Sequence, residues 1–236
     1  MASSSSDSIE SQNLTRSLNA FLYCPTDSLP IDSLWYQINA YFGWDVNDET
    51  DSETIQHLHL LLRPYIWNYV RENRGNMVEL LTGLRDLGPF KYASPIAFTL
   101  RSIHATIAKE TKWRVWCSYC SLVGAFIQGD YNRAHNKQLL AWILMQAFEY
   151  PHSSTDQPIL VEGAATCLKY LSNGAVRLIA ATPRLHMRFA DPERGPVTPS
   201  DWQDWAGCMH VFAAEPSNNP DIRHLAADAV EILWTQ

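Results

Sequence analysis

The stretch "LLAWILMQAF", residues 139–148, is apolar on every face of a helix. A helix of this kind is typical of the centre of a globular protein, where all of its faces are covered. The stretch is about half as long as the roughly 20 apolar residues that a membrane-spanning helix requires. We therefore predict that it forms the central, fully buried helix of the fold and that the protein has no membrane partner.

On both sides of this stretch, apolar residues recur at intervals of three and four, which is the periodicity of an amphipathic helix. The first stripes lie between Leu14 and Leu22 and between Leu34 and Phe42, where Gly43 should end the helix. A helix from about Ser52 contains Pro64, which should kink or split it because proline donates no backbone hydrogen bond. The next stripe starts at Met77. Later helices are predicted at about 95–109, 112–128, 132–149, 157–173, 200–214 and 219–235.

The fold class predicted from these stripes is all-α, because no convincing pair of alternating strands is present. We expect a single compact multi-helix domain over residues 11–236, preceded by a disordered, serine-rich tail over residues 1–10. The segment 181–199 holds four prolines and is predicted to be a long ordered loop. The chain start lacks the features of a signal or transit peptide, so a cytoplasmic location is expected.

The charge balance narrows the choice of partners. The formal net charge is −7, from 25 acidic and 18 basic residues. A chain of this charge has no general electrostatic reason to bind nucleic acid or anionic lipid. We therefore predict no nucleic-acid partner.

Two tryptophan pairs with the same spacing suggest an internal duplication. A shift of 89 residues superposes Trp113 on Trp202, Trp116 on Trp205 and His135 on His224. Each copy would then be a helical hairpin, and Ser200 with Gln203 matches a capping box at the start of the second copy. The alternative is that each pair only anchors a helix against its neighbour, since residues three apart share a helix face.

Several kinds of chemistry lack their sequence patterns. The glycine-rich loops of dinucleotide and P-loop binding and the nucleophile elbow of α/β-hydrolases are missing. Cys117 and Cys120 have the C-x-x-C spacing but neither a redox context nor a second ligand pair, so we interpret them as buried thiols. No H-E-x-x-H pattern occurs among the eight histidines. We predict no metal site and no cofactor.

The candidate ligand-binding residues are of two kinds. Trp116 and Trp205 offer large aromatic surfaces, although core packing is their ordinary role. Arg184, His186 and Arg188 lie in the proline-rich loop together with Arg194. Guanidinium groups match carboxylates and phosphates, so this loop is a candidate site for an anionic substrate. The alternative for these arginines is ordinary solvation of a loop.

The end of the chain resembles a known family. The segments "DWQDWAGCMHVFAAEP" (201–216) and "DIRHLAADAVEIL" (221–233) are similar to an uncharacterised fungal family of helical proteins. In that family a tryptophan pair opens one helix and an R-x-x-A-x-x-A helix, here Arg223, Ala226 and Ala229, closes the domain. Some members are encoded near secondary-metabolite genes. The resemblance implies an all-helical fold but transfers no catalytic residue.

Two functions follow as hypotheses. The first is an accessory protein of a fungal secondary-metabolite pathway that binds an apolar small molecule or transforms it by cyclisation or isomerisation. The alternative is a helical protein–protein interaction module without catalytic activity. A closed pocket lined by tryptophan, tyrosine and histidine would favour the first, whereas an exposed apolar groove would favour the second. The sequence leaves open whether the protein is an enzyme.

Overall fold

The computed structural model describes residues 6–24, 30–43, 52–87, 93–110, 112–129, 134–187 and 193–234. Within these residues the chain forms eleven helices and no strand, so the all-α prediction is confirmed. In chain order the helices are α1 (Ser6–Tyr23), α2 (Ile31–Phe42), α3 (Ser52–Glu72), α4 (Met77–Leu87), α5 (Ala93–Glu110), α6 (Trp113–Gln128), α7 (Ala134–Phe148), α8 (Gln157–Lys169), α9 (Asn173–Ala180), α10 (Pro199–Ala214) and α11 (Pro220–Trp234).

The chain divides into two compact units, Met1–Thr99 and Leu100–Gln236, with the boundary inside α5. The predicted division into a disordered tail over residues 1–10 and one domain over residues 11–236 stays a prediction. Helix α1 begins at Ser6, inside the segment predicted as tail. Among the described residues, no helix combines the length and the hydropathy that crossing a bilayer requires.

In the first unit, α1 packs against α2, and α2 and α3 pack against α4. Its core is formed by the predicted stripes, with Leu18, Leu34 and Ile38 fully buried. Helix α2 ends at Gly43, as predicted, and the backbone there is left-handed with φ of 64°. Glycine adopts this conformation without the steric cost that a Cβ would bring.

Helix α3 runs through Pro64 without interruption, so the predicted split of this helix is wrong. The proline removes one backbone hydrogen bond. However, Leu58, Leu62, Ile66 and Val70 form a fully buried stripe at intervals of four on both sides of it. Burial of this continuous apolar face outweighs the cost of the proline.

In the second unit, α8 packs against α6, α7 and α11, and α10 packs against α11. Helix α7 is buried on all sides over Leu139–Met145, which confirms the prediction from "LLAWILMQAF". Helices α6 and α8 approach closely at Gly163, where any Cβ would overlap the indole of Trp116. The glycine therefore sets the separation of these two helices.

Helix α9 is the one described helix that the periodicity did not predict. We expected a helix over 157–173 and assigned none to 174–180, but α8 ends at Lys169 and α9 spans Asn173–Ala180. The Ser172 hydroxyl caps α9 by accepting a hydrogen bond from the Ala175 backbone N–H at 3.2 Å. A serine cap of this kind fixes the start of a helix. Helix α9 itself is too short to show a clear apolar periodicity.

The predicted hairpin duplication is unconfirmed. Trp116 and Trp205 are both buried, but Trp113 is 50% exposed whereas Trp202 is buried. In addition, α6 packs mainly along α8, while α10 packs along the helix that directly follows it. Trp113 and Trp202 therefore do not occupy equivalent positions.

Candidate functional site

The start of α10 is fixed by a capping box that differs from the predicted one. Asp201 accepts hydrogen bonds from the Thr198 backbone N–H at 2.6 Å and from the Thr198 hydroxyl at 2.7 Å. The cap is therefore Thr198 with Asp201, and the prediction of Ser200 with Gln203 is wrong. Pro199 explains the shift, because proline is favoured at the first position of a helix and places the cap just before itself.

Arg194, in the loop before α10, is held by two carboxylates. Its Nε donates to Glu149 at 2.6 Å, and its Nη2 donates to both Glu149 and Asp201, the latter at 2.9 Å. Hydrogen bonding to Glu149 raises the pKa of Arg194. Burial opposes ionisation of Asp201, but hydrogen bonds from Thr198 and the Arg194 charge together lower its pKa. The positive charge of Arg194 is therefore already balanced by two carboxylates. Arg194 does not offer the anion site that the sequence predicts for this loop.

The inner face of α10 is anchored by its tryptophan pair. Trp202 and Trp205 pack edge to face with ring centroids 5.1 Å apart, and both are buried. The indole of Trp205 donates to Glu149 Oε1 at 2.9 Å. Trp205, predicted as a ligand-binding residue, thus has a hydrogen-bonded place in the core.

The outer face of α10 carries an exposed stripe with a carboxylate at each end. Asp204, Cys208, Val211 and Glu215 follow one another at intervals of four, three and four, so they align on one side of the helix. All four are exposed, and Val211 is 69% exposed in spite of its apolar side chain. We call these four residues the α10 stripe.

A groove of about 910 Å³ runs along this stripe, and we call it the α8–α10 groove. It is lined by Ser154, Gln157, Pro158, Gln203, Asp204, Gly207, Cys208, Val211, Phe212, Glu215, Ser217 and Asn218. Its lining has two acidic side chains and no basic one. Burial and the nearby Asp204 charge raise the pKa of Cys208, so its thiol remains protonated. The middle of the groove is therefore uncharged.

A second groove of about 570 Å³ lies between α10 and α11. It is lined by His210, Ala213, Ala214, Ala227, Val230, Glu231 and Trp234. The rings of His210 and Trp234 lie with their centroids 4.9 Å apart and their planes tilted by 33°, and Trp234 is 53% exposed. This groove is again apolar in the middle and has a single charged residue, which is acidic.

The helices that form these grooves are acidic. Residues 199–234 contain six acidic residues (Asp201, Asp204, Glu215, Asp221, Asp228, Glu231) and one basic residue, Arg223. Arg223 uses its Nε to donate to the Ala213 carbonyl at 2.9 Å. A partner that binds here therefore meets a field favourable to positive charge.

A third groove, of about 480 Å³, lies in the first unit between α1 and α2. It is lined by Glu10, Asn13, Leu14, Arg16, Ser17, Gln37, Ala40 and Tyr41. Its lining carries one acidic and one basic side chain, Glu10 and Arg16, together with the amides of Asn13 and Gln37. Unlike the two grooves of α10, it therefore favours neither sign of charge in a partner.

The other predicted ligand-binding residues lie apart from these grooves. Trp116 is fully buried and donates to the Leu160 carbonyl at 3.2 Å. Arg184 and His186 are exposed, and the His186 carbonyl accepts a hydrogen bond from Gln138 at 2.7 Å. Arg188 lies outside the described residues. None of the three described residues lines any of the three grooves.

A buried aromatic cluster surrounds His104 in the second unit. The imidazole stacks on Trp142 with centroids 4.0 Å apart and contacts Trp116 and Tyr119 edge to face. The Tyr119 hydroxyl donates to the Leu100 carbonyl at 3.1 Å, so it accepts from His104 Nδ1, 3.2 Å away. Nε2 is then the unprotonated nitrogen and has no hydrogen-bond partner in the described part of the chain.

This environment keeps His104 neutral. Burial lowers its pKa to about 3. The cluster fills its own interior with rings, so its aromatic groups serve packing.

The C-x-x-C cysteines are predicted to be buried thiols. Cys120 is fully buried in α6, as predicted, whereas Cys117 is only half-buried. Burial raises the pKa of Cys117 to about 12, with a further contribution from Glu162, and it also raises the pKa of Cys120. Among the described residues, no group of three or more histidine, cysteine or acidic side chains is arranged to hold a metal ion.

The described residues form an all-α fold with two grooves on α10, and the exposed side chains of Val211 and Trp234 line them. Comparisons with protein-family models, curated proteins and solved structures find no match to this chain. The resemblance to fungal helical proteins therefore stays a prediction.

Sequence reasoning missed the α10 stripe. In sequence, Val211 stands between Met209 and Phe212, which are both buried, and so resembles a core residue. The missed signal was the helical spacing of Asp204, Cys208, Val211 and Glu215. This spacing places them on the side of α10 that lies opposite the buried face.

Proposed function

We propose that this protein is a helical protein-interaction module that binds a basic segment of a partner protein on the outer faces of α10 and α11. The main evidence for this proposal is the exposed side chain of Val211 beside the α8–α10 groove. It lies in the middle of a helix face whose charged side chains are all acidic. An apolar centre with a polar rim is the usual composition of a protein-binding surface. The acidic rim selects for a basic partner.

The small-molecule hypothesis receives less support from the geometry. Trp116 and Trp205, the tryptophans expected to line a ligand pocket, donate hydrogen bonds within the core. The aromatic cluster at His104 is packed ring against ring. The grooves on α10 are open and lie along helix surfaces. A role in a fungal secondary-metabolite pathway stays a prediction, and the interaction module is compatible with it.

A second copy of the chain is a poor occupant of this surface. Residues 199–234 carry six acidic residues and one basic residue, so two such faces would repel each other. Nucleic acid and anionic lipid are disfavoured for the same reason.

The test is selection of helical peptides from a displayed library on the wild-type protein, followed by affinity measurement on variants. Val211→Lys removes the apolar centre and adds a repelling charge at a site exposed enough not to disturb folding. Leu178→Lys on α9, where the side chain is 49% exposed, is the matched control. We expect the selected peptides to be basic and to lose at least tenfold in affinity for Val211→Lys only. Peptides that bind both variants equally would contradict the proposed function.

A further inference from the structure

We infer that the α8–α10 groove takes an amphipathic helix whose basic residues are three turns apart and whose side chains between them are small and apolar. This inference rests on the proposed function and specifies its partner. Asp204 and Glu215 are eleven residues apart, which corresponds to about 16 Å along a helix at 1.5 Å per residue. Both line the groove, so a partner lying along it meets one carboxylate at each end.

Hydrogen bonds hold one of the two carboxylates, Glu215, in place. The Ser217 hydroxyl donates to Glu215 Oε1 at 2.9 Å and the Ser217 backbone N–H donates to it at 3.2 Å. These hydrogen bonds, with a smaller contribution from the Arg223 charge, lower the pKa of Glu215, so the group stays ionised. Asp204 is exposed at the other end, where its charge acts on the Cys208 thiol. A lysine or arginine on the partner can pair with each of them.

Gly207 is a second, independent observation that supports a helical partner in this groove. It lies in the middle of α10, where glycine destabilises a helix relative to alanine. A Cβ built at this position meets no atom within 4 Å, so the packing of this chain does not require glycine. Gly207 nevertheless lines the α8–α10 groove between the two carboxylates. A missing side chain at the centre of a groove allows the backbone of a partner helix to approach closely.

A helix fits this groove better than an extended peptide. The α10 stripe has helical periodicity, and two helices crossing at about 20° stay in contact over three turns. An extended peptide binds either by adding a strand to a sheet edge or by docking in an aromatic-lined groove. The lining of the α8–α10 groove has a single aromatic residue, Phe212, and consists otherwise of side chains on and next to α8 and α10. The matching partner repeats the stripe with the opposite charge, with a basic residue at each end and small apolar residues four and seven positions after the first.

The first test compares two synthetic helical peptides of about 20 residues with identical composition. One carries lysines eleven positions apart, flanking alanine and leucine on a single face, and the other carries the lysines four positions apart. We expect the first to bind up to about fivefold more tightly, because it forms one more exposed ion pair than the second and each such pair contributes up to about fivefold in affinity. The double variant Asp204→Asn, Glu215→Gln should remove this preference. The control Asp32→Asn, Glu79→Gln changes the charge equally on α2 and α4 and should keep it.

The second test separates packing within the chain from partner binding. Gly207→Ala should raise the melting temperature, because alanine favours the helix and its Cβ fits without contact. The same variant should weaken binding of the first peptide by about fivefold or more, because the methyl group occupies the approach surface. Gly174→Ala on α9 is the control, and it should leave peptide affinity unchanged. A rise in melting temperature with unchanged peptide affinity would overturn the close-approach argument.

The outcomes also separate this inference from the proposed function. If library peptides bind in a way that depends on Val211 but the two lysine spacings bind equally, the groove binds a partner of another pattern and only this inference fails. If no peptide binding depends on Val211, both fail.

Discussion

Glu149, just after the end of α7, accepts a hydrogen bond from the indole of Trp205 on α10 at 2.9 Å. The same carboxylate pairs with Arg194, which also contacts Asp201 at the start of α10. One acidic side chain therefore ties the central helix to the helix that presents the candidate binding surface. The position of the α10 stripe depends on this link.

Truncation of Trp205 should cost far more stability than truncation of Trp113, the exposed member of the other tryptophan pair. Trp205→Ala removes a side chain that is 2% exposed and leaves Glu149 without its indole donor. We expect a loss of about 3–5 kcal/mol in the free energy of unfolding. Trp113→Ala, at a half-exposed site, should lose about 1 kcal/mol or less. Urea denaturation of both variants measures the difference, and similar losses would contradict the assignment of Trp205 to the core.

The capping assignment is tested by two neighbouring substitutions. Thr198→Ala should cost about 1 kcal/mol, because the Asp201 carboxylate loses the hydroxyl that donates to it. Ser200→Ala, at the cap predicted from sequence, should change the free energy of unfolding by less than about 0.5 kcal/mol. Thermal melts of the two variants are sufficient, and a reversed order would restore Ser200 as the cap.

The interior of α7 should be sensitive to cavities. Leu144 is fully buried, so Leu144→Ala should cost about 2–5 kcal/mol. Leu178→Ala on α9 removes the same atoms from an exposed position and should cost less than about 1 kcal/mol. Equal effects in denaturant unfolding would mean that α7 is not central.

His104 should make the protein less stable in acid. Its pKa is about 3 in the folded chain and about 6.5 when unfolded, so the unfolded state binds the extra proton between these values. Stability should therefore fall as the pH drops below about 6.5, by about 1.4 kcal/mol per pH unit at most, until about pH 3. His104→Gln lacks this titration, so its stability should depend less on pH. Parallel slopes for wild type and variant in urea melts across this range would contradict a neutral buried imidazole.

Thiol labelling should divide the five cysteines into two groups. Cys24 and Cys208 are exposed, whereas Cys120 and Cys167 are buried, Cys117 is half-buried, and burial raises the pKa of these last three. Because the thiolate is the reactive form, iodoacetamide at pH 8 should modify Cys24 and Cys208 in the native protein, Cys208 slowly because its pKa is also raised, and should spare the other three. All five should react in denaturant. Bound peptide in the α8–α10 groove should slow labelling of Cys208 but not of Cys24, and mass spectrometry of the digested protein locates the modified sites.

The fold was predictable where burial decided the structure. The stripes at Leu18, Leu34 and Leu58 and the fully apolar face of α7 identify helices, because apolar periodicity reflects the core directly. The predictions of helix boundaries failed where a local sequence signal and tertiary packing favoured different structures, or where a helix was too short to show a pattern. Pro64 lies inside an intact helix because packing overrides it, and Ser172 starts a helix too short to show a period.

The candidate site was less predictable for a physical reason. Binding surfaces of this kind consist of apolar side chains that point outward, and a sequence shows that Val211 is apolar but not which way it points. Their large aromatic side chains made Trp116 and Trp205 candidates for ligand binding, but both are buried in the core. Gly207 carried a usable signal, since a glycine in a helix interior calls for a reason such as close approach.

Helix α7 has a consequence for synthesis of the chain. Its covering helices include α8 and α10, and α10 ends roughly 65 residues after α7 does. At translation rates of about 5–20 residues per second, "LLAWILMQAF" emerges several seconds before its last cover exists. During that interval the nascent chain exposes a ten-residue apolar segment to solvent or to any chaperone at the ribosome exit. The yield of folded protein should therefore depend on how quickly the ribosome translates the segment from α8 to α10.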